Sequence, residues 1–166
     1  MRYFSGIVLV CGVLLVSSCM KKDDFPDTPE IDLEGWVSIF DTTQFAVQGI
    51  LTIGFRDGNG DIGLNGYDTL PPYNKNGPYY YNYVITYFEK QYGTFVRIDL
   101  DPPYSARIPY LTPDDPNKAI KGIIVDTLDL NPVPVFDTIR FELFIYDRAL
   151  NKSNVLTTPE IILRKH

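Results

Sequence analysis

The chain is poor in the residues on which most enzymatic chemistry depends. It has two cysteines, two methionines, one tryptophan and one histidine. That histidine, His166, is the last residue, a position that suits a frayed terminus better than a base. Without a second histidine there is no His cluster for zinc and no Ser-His or Cys-His pair for nucleophilic catalysis. Basic runs are missing as well. Fifteen Lys and Arg stand against 21 Asp and Glu, a formal charge of −6. The pairs Lys21-Lys22 and Arg164-Lys165 are too sparse for the positive face that a polyanion requires, so nucleic acid is excluded as a partner. Beyond the first twenty residues no helix-length stretch carries apolar residues at 3.6 spacing. What is present is 13 Pro, 12 Gly, 12 Tyr and many short Val/Ile/Phe runs, the composition of an all-β module. A length of 166 residues allows one domain with a proper core plus short extras.

The N-terminus is the most specific segment. Arg2 precedes an apolar run from Gly6 to Val16, too short to span a bilayer and suited to a secretory h-region. The run ends in Val16-Ser17-Ser18-Cys19, which resembles the lipobox of bacterial lipoproteins. That resemblance implies cleavage after residue 18 and covalent lipid on Cys19, a membrane anchor through several acyl chains where one chain alone is marginal. Cys11 would leave with the leader, so no thiol remains in the mature domain for disulfides, catalysis or metal ligation. Next comes Lys22-Asp23-Asp24, which resembles the surface-export signal of Bacteroidota lipoproteins and implies an outer-membrane protein facing the medium. A solvated tether facing the periplasm is the alternative.

Residues 1–18 thus read as leader, 19–34 as lipidated cysteine and acidic, proline-containing tether, and 35–166 as the domain. Within it, Trp36–Phe40 reads as a first strand and the stretch from Val47 to Phe55 as a second, with Val47, Leu51, Ile53 and Phe55 on one face. Tyr80–Lys90 and Thr94–Leu100 form a hairpin about Gln91-Tyr92-Gly93. Arg107–Leu111 is a short proline-flanked edge piece, and Ala119–Leu130 is another strand. Thr138–Tyr146 alternates most clearly, with Ile139, Phe141, Leu143 and Ile145 on one side. A polar turn, Asp147–Asn154, leads to Val155–Leu163. About seven strands in this length predict an immunoglobulin-like β-sandwich, with a jelly roll or small barrel as alternatives. The ending IYDRALNKSNVLTTPEIIL resembles the last two strands of bacterial immunoglobulin-like modules, joined by an Asp-x-x-x-Asn turn. Together with the lipobox, DGNGDIG and AIKGIIV, the chain resembles a group of uncharacterised Bacteroidota lipoproteins.

The stretch Phe55–Asp68, FRDGNGDIGLNGYD, contains a formal G-x-G-x-x-G. A dinucleotide turn needs a helix after it, and Asn65-Gly66 and Pro71-Pro72 remove one; nucleotide binding is excluded. The same stretch reads Asp57-x-Asn59-x-Asp61, the opening of a calcium loop. Counted as an EF-hand loop, Asp57, Asn59 and Asp61 fill the first three ligand positions, the Gly63 carbonyl the fourth, and Asp68 the last. Gly58 and Gly60 permit the curl because they accept positive φ. Ile62 stands where the loop wants glycine, Asp68 is shorter than the usual glutamate, and no helices flank it. The other reading is a β-connection whose Asp and Asn side chains cap their own turn. A Ca²⁺ site of this kind belongs to the weak extracellular class, with a dissociation constant of about 10⁻⁴–10⁻³ M.

Tyr73, Tyr79, Tyr80, Tyr81 and Tyr83, with Tyr87, make the densest aromatic segment. On a strand Tyr79, Tyr81, Tyr83 and Tyr87 would share a face, fit either for a core or for gripping a sugar or protein. Four Asp-Thr-x triplets, at Asp41, Asp68, Asp126 and Asp137, resemble the O-glycosylation sequon of Bacteroidota secreted proteins. The carboxylates Asp99, Asp101, Asp114 and Asp115 lie among prolines and polar turns, where solvated acids are ordinary. The expectation is a non-catalytic lipoprotein that binds or scaffolds, with a protein partner in an outer-membrane complex. The alternative is a carbohydrate-binding lipoprotein of a glycan-uptake system.

Overall fold

A computed structural model describes residues 24–111, 118–130 and 134–164. Cys19, the segment up to Asp23, the pair Asp114-Asp115 and His166 lie outside the described residues. The described chain is all-β: β1 (Glu30–Phe40), β2 (Ala46–Asp57), β3 (Tyr83–Gln91), β4 (Thr94–Ile98), β5 (Ile120–Asp129), β6 (Thr138–Ile145), β7 (Leu156–Thr157) and β8 (Ile161–Ile162). Two antiparallel sheets result, consistent with a β-sandwich. One has the order β1-β2-β5; in the other β4-β3-β6 continues to β7, with β8 also paired to β6.

The core follows the period-2 pattern. Ile139, Phe141, Leu143 and Ile145 of β6 are fully buried, and they meet Leu51, Ile53 and Phe55 of β2 within one cluster with Ile85 and Tyr87 of β3. Each such side chain contributes about 1.5–3 kcal/mol on burial. Trp36 lies 5.5 Å from Phe141, ring centroid to centroid.

Three expectations need correction. The tether does not run to Glu34, because β1 begins at Glu30 and pairs Ile31 with Phe55 and Leu33 with Ile53. Ile31 is only 4% exposed. The acids Glu30, Asp32 and Glu34 take the opposite face, where Arg56 bridges Glu30 at 2.6 Å and Asp32 at 3.3 Å. Dense charge masked an ordinary half-buried alternation. Second, Arg107–Leu111 is not a sheet strand; Ala106 and Pro109 make isolated bridges to Tyr83 and Leu64. Third, the closing strand splits into β7 and β8. Between them Thr158 turns inward and its hydroxyl accepts the Phe141 N–H at 3.0 Å, while Pro159 has no N–H to give.

The pairings also decide what gathers at each end. Glu30 lies opposite Arg56, Asp57 opposite Ile120, and Tyr83 opposite Ile145. One end of the sandwich therefore collects the start of β1, the end of β2, the starts of β3 and β5, and the end of β6.

Candidate metal centre

At that end β2 finishes at Asp57, which is 0% exposed. The chain then folds back on it. Asp57 Oδ2 accepts the Asp61 N–H at 2.9 Å, and Asn59 Oδ1 accepts the same N–H at 3.3 Å. Beyond β6, Asp147 forms a bridge with Ile62, and the Arg148 N–H donates to the Asp61 carbonyl at 3.1 Å. These contacts bring carboxylate oxygens of Asp57, Asp61 and Asp147 within 4.8 Å of one another.

The two parts of the centre differ in how their oxygens are satisfied. Asp147 is capped from its own turn, accepting the Asn151 N–H at 2.7 Å and the Asn151 side-chain amide at 2.8 Å. Asp57 Oδ1 and Asp61 Oδ1, in contrast, are buried and accept no hydrogen bond. A buried carboxylate oxygen with no donor is costly unless a proton or a cation meets it. The electrostatics agree. Burial pushes the Asp57 carboxyl up to about 6, with the charges of Asp61 and Asp147 adding to the rise against the hydrogen bond from the Asp61 N–H. Burial, then the charge of Asp147, raises Asp61 as well. Three hard oxygen ligands of this kind suit a divalent cation such as Ca²⁺, whose remaining positions carbonyls or water would fill.

The loop glycines serve a purpose beyond the curl. Gly60 and Gly63 do adopt positive φ, at 63° and 100°, but Gly58 does not. Gly58 is needed for close approach, since a Cβ there would lie 2.2 Å from the Phe25 carbonyl oxygen, and its N–H donates to the Pro26 carbonyl at 2.8 Å. A Cβ on Gly60 would strike the Lys118 carbonyl oxygen at 1.7 Å, and one on Gly63 the Pro109 carbonyl oxygen at 2.0 Å. The loop is thus the crossing point for the chain arriving from the N-terminus and two other backbone segments.

The predicted ligand set is only partly assembled. Asp57 and Asp61 converge; Asn59 serves the turn. Asp68 is drawn elsewhere, receiving Arg148 at 2.5 Å and the Asn65 N–H at 2.7 Å, and Arg148 holds its carboxyl below the usual range. The EF-hand count fails because a loop between strands closes on its neighbour in the other sheet rather than on its own twelfth residue. Asp147 takes part instead. Its only signal in the sequence is a charge directly after the β6 alternation, where it reads as a turn residue.

The tyrosines separate too. Tyr83 is 2% exposed and belongs to the core, and its hydroxyl accepts or donates no hydrogen bond. The strand starts only there, so Tyr79, Tyr80 and Tyr81 lie in the connection before it rather than sharing a strand face with it. Tyr73 donates its hydroxyl to the Arg148 carbonyl, Tyr79 packs edge-on against Tyr146, and Arg107 stacks over Tyr80. Arg107 also donates to the carbonyls of Asp68, Tyr73 and Tyr80. Most of these rings hold the connection between β2 and β3 in place.

Comparison with known protein families, curated proteins and solved structures yields no match. The acidic centre therefore stands on its geometry alone.

Proposed function

We propose that the protein is a lipid-anchored, surface-facing module of an outer membrane, non-catalytic, with an immunoglobulin-like sandwich whose anchor-side end is stiffened by Ca²⁺. The observation that carries the cation reading is the pair of buried, unpartnered oxygens on Asp57 and Asp61, facing a third carboxylate from another sheet. A divalent ion there would cross-link the β2–β3 connection to the turn after β6. The immunoglobulin-like reading is supported by strand order, since β1-β2-β5 against β4-β3-β6-β7 corresponds to A-B-E against C′-C-F-G. The lipid anchor and its Bacteroidota setting rest on the Cys19 and Lys22-Asp23-Asp24 motifs. A structural or protein-binding role is preferred to glycan uptake because Tyr73, Tyr79, Tyr80 and Tyr83 are engaged inside the fold.

The test is thermal melting with and without Ca²⁺. At about 10 mM Ca²⁺ a site of millimolar to submillimolar affinity adds about 1.4–2.7 kcal/mol, which raises the melting temperature by several degrees. Asp61→Ala and Asp147→Ala are each expected to abolish the rise, and Asp68→Ala to retain it. An unchanged wild-type melting temperature in Ca²⁺ would remove the cation from the model of function.

A further inference from the structure

The end of the sandwich that holds the acidic centre also presents apolar side chains that nothing in the fold requires. Tyr67 is 95% exposed and Leu70 is 76% exposed, with Tyr110 beside them at 44%. Tyr67 and Leu70 flank Asp68, so their positions are not those of a loose loop. Asp68 is tied to Arg148 and to the Asn65 N–H, and Arg107 holds the Asp68 carbonyl at 3.1 Å. Arg148 in turn lies 5.5 Å from the Tyr110 ring. Two large side chains are thus held exposed in fixed positions at one tip by an ion-paired base.

The route of the chain says what they face. Phe25 and Pro26 are packed against Gly58, at the same end. Only six residue steps separate Phe25 from Cys19, and full extension covers at most about 20 Å. A domain anchored through Cys19 therefore hangs with this end toward the bilayer and at close range. Tyrosine and leucine are well suited to such a boundary, the amphipathic ring of Tyr lying at headgroup level and the Leu side chain reaching the acyl edge.

We propose that Tyr67 and Leu70 form a membrane-docking tip that inserts into the headgroup region of the bilayer carrying the lipid anchor. The occupant is a lipid surface, not a protein groove. Docking gives the sandwich a defined orientation on the membrane in place of free swinging about its tether. The inference rests on the anchor reading of Cys19 and is independent of whether the acidic centre binds Ca²⁺.

The experiment uses the full lipidated protein in vesicles of phosphatidylcholine and phosphatidylethanolamine. Tyr67→Cys, Leu70→Cys and, as control, Val135→Cys each supply a single thiol for an environment-sensitive fluorophore. Val135 is 88% exposed and lies in the β5–β6 connection at the opposite end. The expected result is blue-shifted emission at 67 and 70, quenched by headgroup-level nitroxide lipids, with water-like unquenched emission at 135. Intact mass reads the anchor separately. Acyl mass on Cys19 with water-like emission at 67 and 70 would overturn the docking alone; no acyl mass would overturn the docking together with the anchor reading.

Discussion

Asp57 shows how one residue carries both a structural and a chemical consequence. It ends an apolar strand face, so its carboxylate arrives buried, and among the described residues Asp61 and Asp147 are near enough to share its charge. Its raised carboxyl makes a signed prediction. The folded state binds this proton more tightly than the unfolded chain, whose carboxyl titrates near 3.8. Without Ca²⁺, stability is then greatest below the unfolded value and is lost as pH rises through about 6. One-site linkage makes the loss between pH 5 and 7.5 about 1.4 kcal/mol. Asp41 and Asp68 oppose this only at lower pH, because their carboxyls are held below the usual range and stay ionised in that window. Chemical denaturation at the two pH values in chelator checks the sign. Millimolar Ca²⁺ should flatten the difference, since the ion competes with the proton for the same oxygens. A chelated protein that is more stable at pH 7.5 would contradict the electrostatic account of the trio.

Among the elements, β2 depends on what it omits. A Cβ on Gly49 would lie 1.9 Å from the Trp36 ring, which is itself held by its indole N–H to Ser38 Oγ at 2.8 Å and by its contact with Phe141. Gly49→Ala should therefore destabilise by about 1–3 kcal/mol through overpacking. Gly66→Ala, where a Cβ meets nothing within 4 Å, should be close to neutral, and urea titration of both variants compares them directly. The element scale is also where the sequence was most and least legible. β6 could be read residue by residue because Ile139, Phe141, Leu143 and Ile145 recur at every second position, interleaved with Thr138, Arg140 and Glu142 over most of the strand, and every one is buried. The start of β1 could not, since Glu30, Asp32 and Glu34 mimic a solvated tether until Ile31 and Leu33 are seen against β2. Aromatic density in Tyr79–Tyr83 likewise suggested a continuous strand, while the backbone enters β3 only at Tyr83.

At the scale of the whole molecule, the proposed anchor would give the two-sheet fold an orientation. Because the chain packs from Phe25 onward, the proposed anchor on Cys19 would leave little free tether between lipid and sandwich. Cys19→Ala is expected to move the protein from the membrane to the soluble fraction with its fold intact, read by fractionation and melting. Protease treatment of intact cells is expected to remove the wild-type domain, and complete protection would turn the outward-facing assignment inward. These outcomes concern the anchor and not the sandwich, whose core, among the described residues, runs from Ile31 onward with Pro29 buried at its margin.

The sequence by itself determined the all-β class, most strand positions, and the first two members of the acidic centre. These are local properties: periodicity, turn residues and residue inventory are all carried within a few positions of one another. Only the tertiary structure decided that Asp147 joins Asp57 and Asp61 while Asp68 leaves them for Arg148. It also decided that Gly58 makes room for Phe25 and Pro26, and that Tyr67 and Leu70 lie at the same end of the sandwich as that contact. The physical reason is that partners of this kind lie in different sheets and loops. Their proximity is set by strand register and sheet packing, which no spacing along the chain records.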